Sequence, residues 1–74
     1  MLMKMIPEDC DTYEELADLA ARHREDCEYF RSCQKIGIRV KKEVLEYMKE
    51  KTERIEKRLE WLDNQKRKAF VGLY

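Results

Sequence analysis

The chain has 74 residues, 43% of them charged, and its 16 basic and 16 acidic side chains cancel to a formal net charge of zero. This length holds one domain at most, and a core so small rarely supplies more than about 3–5 kcal/mol, so stability calls for a staple, a metal or self-association. No apolar run approaches the ~18 residues of a transmembrane helix, and three cysteines do not make a disulfide framework.

Residues 1–11 form an extension closed off by Pro7, and the opening MLMKMIP lacks the length and small-residue cleavage site of a signal peptide. The expected setting is therefore a reducing cytoplasm with free thiols and no membrane contact. Thr12-Tyr13-Glu14-Glu15 is a capping box. The Thr12 hydroxyl is placed to accept the Glu15 amide while the Glu15 carboxylate reaches back to the Thr12 amide. Asp9, Asp11 and Glu14 add negative charge where a helix dipole is positive. A first helix is predicted over 12–35, with a seam of Tyr13, Leu16, Ala20, His23, Cys27 and Phe30 stepping by three and four.

The stretch SCQKIGIRVKKEV, residues 32–44, reads three ways. Ile36, Ile38 and Val40 alternate like a strand, but the chain offers no second strand to pair with. One continuous helix is the second possibility. Its apolar flank would have to change sides, from three residues after the common row of sevens (Leu16, His23, Phe30) to three before it (Leu45, Thr52, Leu59). A turn at 36–39 makes that change natural, with Gly37 in the left-handed conformation and Ile38 folding back toward Cys33.

A second helix is predicted over 39–69, without an obvious Ser, Thr, Asp or Asn cap, followed by a tail at 70–74. Its seam is Leu45, Met48, Thr52, Ile55, Leu59, Leu62 and Ala69, with Lys66 at the one polar position. The fold class that follows is all-α: an antiparallel two-helix hairpin with unequal arms, dimerising into a four-helix bundle or coiled coil. In that hairpin Leu59, Leu62 and Ala69 overhang the shorter arm and need cover from elsewhere. Leu45, Met48, Ile55, Leu59 and Leu62 are the predicted self-association residues.

The apolar arc of the second helix is wider than one partner needs, running on through Val44 to Tyr47 and Trp61, with Val40, Arg54 and Arg58 on the same side. Tyr, Arg and Trp are the side chains that most often anchor interfaces. Tyr47, Arg54, Arg58 and Trp61 are thus the predicted partner-binding stripe, with core or dimer packing as the plainer use of the aromatics. Charge is also segregated. Residues 8–30 hold nine acids against Arg22 and Arg24, and residues 31–74 hold thirteen bases against seven acids, so the two arms attract one another side by side.

Sites of chemistry are sparse. Cys10, His23, Cys27 and Cys33 are four soft ligands, but no paired knuckle spacing joins them, and Cys and His on a seam serve packing. The single histidine has no Ser, Asp or Cys at a diagnostic catalytic spacing, and there is no glycine-rich phosphate loop. No metal, no cofactor and no enzymatic activity are expected. Arg31, Lys35, Arg39, Lys41 and Lys42 form a run without an acid, and Lys66, Arg67 and Lys68 close the second helix. Those clusters support an alternative, a nucleic-acid-binding accessory protein. The first expectation is a non-catalytic binding module, a regulator, inhibitor or adaptor that occupies the surface of another protein.

Overall fold

The computed structural model describes residues 4–71. It contains a single 3₁₀ turn at Pro7–Asp9, then α1 (Tyr13–Lys35) and α2 (Lys42–Val71), with no strand among the described residues. Residues 1–3 of the expected extension, residues 72–74 of the expected tail and the Ala69 side chain lie outside the described part.

α1 starts where the capping box puts it. Thr12 is extended, and its hydroxyl accepts the Glu15 amide at 3.2 Å. The Glu15 carboxylate reaches one residue further back than expected. It accepts from the Asp11 amide (3.2 Å) and the Thr12 hydroxyl (3.3 Å) rather than from the Thr12 amide. Two upstream groups are satisfied at once, and the chain entering the helix is thereby fixed in direction.

The end of α1 settles the central stretch. Gly37 has φ 88°, the Ile38 amide donates to Cys33 O at 2.8 Å and the Gly37 amide donates to Gln34 O at 3.2 Å. This pair of bonds is the Schellman arrangement, and it ends the helix. Neither a continuous helix nor a strand passes through 36–40. α2 then begins at Lys42, three residues later than the predicted 39. With no capping side chain upstream, its first bonds run from the Val44 and Leu45 amides to Lys41 O at 3.1 and 3.3 Å.

The helices are antiparallel. Tyr13 at the start of α1 donates its hydroxyl to Asp63 Oδ1 at 2.5 Å, and His23 midway along α1 meets Thr52 at 2.7 Å. The core is small: Cys10, Leu16, Leu19 and Leu62, with Ile55 packed against it. Cys10 comes from the supposed extension, and this corrects the expected overhang. Leu62 does not await outside cover. It is 6% exposed because the N-terminal segment folds back and closes over it with Leu16 and Leu19.

That segment, here called the strap, is tied along one face of the hairpin. Pro7 and Cys10 are buried. Arg22 donates to Lys4 O at 2.6 Å, and Arg58 Nε donates to Cys10 O at 2.9 Å. Arg54 donates through Nε and Nη2 to the two Glu8 carboxylate oxygens at 2.7 and 3.0 Å. The Cα atoms fill 57 × 25 × 16 Å, so the molecule is little more than one layer of helices thick.

Candidate partner-binding face

One side of the hairpin carries the strap, and none of the described residues lies over the other. On this open side the seam between α1 and α2 is a furrow built from three adjoining depressions. The widest, about 430 Å³, is lined by Tyr13, Leu16, Ala17, Ala20, Ala21, Arg24, Ile55 and Leu59. The next, about 280 Å³, shares Ala20, Arg24 and Ile55 and adds His23, Cys27, Thr52 and Glu56. The third, about 180 Å³, shares Cys27 and continues through Phe30, Arg31, Gln34, Leu45 and Met48. From Tyr13 to Gln34 the furrow follows α1 for roughly 32 Å at 1.5 Å per residue.

Its shape follows from the sequence. Positions 17, 20 and 21 are alanines, so α1 presents a shallow flank there, while Leu59 and Tyr13 stand up at one end. Leu59 is 44% exposed against 6% for Leu62, one turn away on the same helix. Leu62 packs with Cys10 of the strap, whereas Leu59 lines the furrow. The rims are charged with opposite sign: Arg24 and Arg31 on α1, Glu56 on α2.

At the middle of the seam lies a polar contact. The Thr52 hydroxyl donates its one proton to Met48 O at 3.0 Å. Its 2.7 Å contact with His23 is then made by the imidazole Nε2–H donating to the threonine oxygen. Cys27 Sγ lies 3.5 Å from the same nitrogen. His23 Nδ1 is buried and finds no partner among the described residues. Burial, aided by the charge of Lys51, holds the imidazole below its usual 6.5, so the ring stays neutral. The His23–Thr52 contact ties the two helices together at mid-seam. Its effect is on register: it fixes α1 against α2 at one height.

The predicted stripe lies on the strapped side. Arg54 and Arg58 are both engaged by the strap, and the Arg58 guanidinium also sits 3.7 Å over the Trp61 ring. Tyr47 and Trp61 remain exposed. The Arg54 pair lowers the Glu8 carboxyl below its usual 4.5. Of the predicted self-association residues, Leu45, Met48, Ile55 and Leu59 line the furrow, whereas Leu62 belongs to the monomer core. Arg31, Lys35, Arg39, Lys41 and Lys42 are exposed around the turn, and Lys66, Arg67 and Lys68 are exposed near the other end of α2.

Sequence reasoning missed the alanine flank (Ala17, Ala20, Ala21) as a groove and His23–Thr52 as a contact. Both residues stood on the predicted seams, but the register between the helices was not written there: only the observed Tyr13–Asp63 contact brings 23 level with 53, beside Thr52. Among the described residues no three His, Cys, Asp or Glu side chains converge as a metal site, and no helix is long and apolar enough to cross a membrane. Compared with known proteins, the chain matches no family, no curated protein and no solved structure.

Proposed function

We propose that the protein is a non-catalytic binding module, a regulator, inhibitor or adaptor, that works by laying its open furrow along an amphipathic helix of another protein. The observation that carries this is the furrow itself: about 32 Å of apolar seam, floored by alanines and walled by Tyr13, Ile55 and Leu59, with no segment of the described chain covering it. Helix-in-groove recognition needs such a surface, read by apolar anchors spaced three and four apart.

A second copy of the chain is one such occupant, giving a four-helix bundle. Two observations favour it. Among the described residues the core is four apolar side chains with Ile55 packed against them, and a core so small rarely stabilises a chain of this length alone. The rims are also self-complementary, because a copy turned about the long axis brings its acidic α2 rim over the basic α1 rim. Partner and copy compete for one surface, so binding a partner releases a subunit.

A photo-reactive side chain placed at Ala21, inside the furrow, should trap the partner in cells, whereas one at Lys57, on the solvated side of α2, should not. Equal trapping at both positions, or trapping at Lys57 alone, contradicts the proposal.

A further inference from the structure

The hairpin tip is a second surface, independent of the furrow. Ile36 and Ile38 at the Schellman turn are 75% and 53% exposed, although an apolar residue at the position of Ile38 commonly folds back onto the helix. Around them stand Lys35, Arg39, Lys41 and Lys42, all exposed. Of these four, Lys42 alone has an ion-pair partner among the described residues, Glu46 at 3.9 Å. Two exposed aliphatics flanked in the chain by four cations, with Glu43 the next acid along, thus lie at one end of a molecule 57 Å long.

We infer that this tip docks on an anionic lipid surface. The cations answer the lipid phosphates, and the isoleucines enter the headgroup boundary, where aliphatic groups leave water. The tip is convex, so it fits a surface that yields to penetration rather than a groove in a partner. A nucleic-acid backbone would use the cations but offers no apolar depth for two isoleucines, and the tip has no aromatic ring to stack on bases. Peripheral contact of this kind needs no membrane-crossing helix. With the tip down, the furrow runs along the membrane normal and stays open at the side.

The test is co-sedimentation of the full chain with phosphatidylcholine vesicles, with and without phosphatidylserine, alongside a duplex oligonucleotide assay in the same salt. The protein should bind the anionic vesicles and leave the neutral ones. Each cation removed should weaken binding about fivefold, so Arg39→Gln with Lys41→Gln costs about 25-fold. Ile36→Ser with Ile38→Ser, exposed positions that leave the helix signal intact, should weaken vesicle binding severalfold without touching oligonucleotide binding. No binding to anionic vesicles at low salt overturns the inference. So does vesicle binding indifferent to the isoleucines, and so does tighter binding to the oligonucleotide, which would make the tip a phosphate-backbone contact.

Discussion

The two sides of the hairpin are built from the same helices and have been finished differently. On the strapped side Arg22, Arg54 and Arg58 hold the N-terminal segment by its carbonyls and carboxylates, and Pro7 and Cys10 sink into the seam. On the open side the described residues leave the equivalent seam bare over three depressions. A chain of this size needs every apolar contact it can make, so a long uncovered seam is the less expected half. The comparison teaches that the chain closes one side itself, while the geometry of the other suits a helix from outside.

The largest contrast should appear in matched leucine truncations. Leu62→Ala removes a core side chain and should cost about 2–5 kcal/mol, enough to unfold much of a marginal domain. Leu59→Ala, one turn away on the open side, should cost about 1 kcal/mol or less in a monomer. Urea unfolding followed by circular dichroism at low protein concentration checks both, and equal losses would erase the distinction between the sides.

Arg58→Ala should come next, at about 1–3 kcal/mol, because it strips a donor from the Cys10 carbonyl beside the core and uncovers the Trp61 ring. Hydrogen exchange at the Cys10 amide, bonded to Pro7 O, should quicken in this variant before any α2 amide does.

The smallest effect is a dependence on pH. His23 titrates below 6.5 in the folded chain because it is buried, so the unfolded chain binds more protons as pH falls through that region. Stability is therefore full above about 6.5 and declines on acidification toward the folded-state value. Glu8, lowered from 4.5 by Arg54, adds a separate loss only below 4.5. Replacing His23 with Gln should flatten the upper step alone. If the upper step survives that replacement, the seam histidine is not its source.

Much of this fold was legible in the sequence because its signals are local. Thr12–Glu15 announced the start of α1, and Gly37 with Ile38 announced its end, since each device is written within four residues. The strap was not legible. Nothing within residues 4–11 marks them as a packing element, because what holds them are arginines 18 to 48 positions away. For the same reason Arg54 and Arg58 read as anchors for a partner when the chain's own Glu8 and Cys10 occupy them. The furrow was half legible. Leu45, Met48, Ile55 and Leu59 stood out on the α2 seam, whereas its alanine floor on α1 is apolar but small, and periodicity alone does not distinguish a groove from a weak core face.

The most direct test of the open side as the associating surface is light scattering over a dilution series, on the natural chain beside a Leu59→Glu variant. The natural chain should show twice its 9.1 kDa mass at high concentration and fall toward 9.1 kDa on dilution. The variant should stay at the single-chain mass with its helix content intact. A natural chain that remains at 9.1 kDa throughout, or a variant that still doubles, would contradict the account.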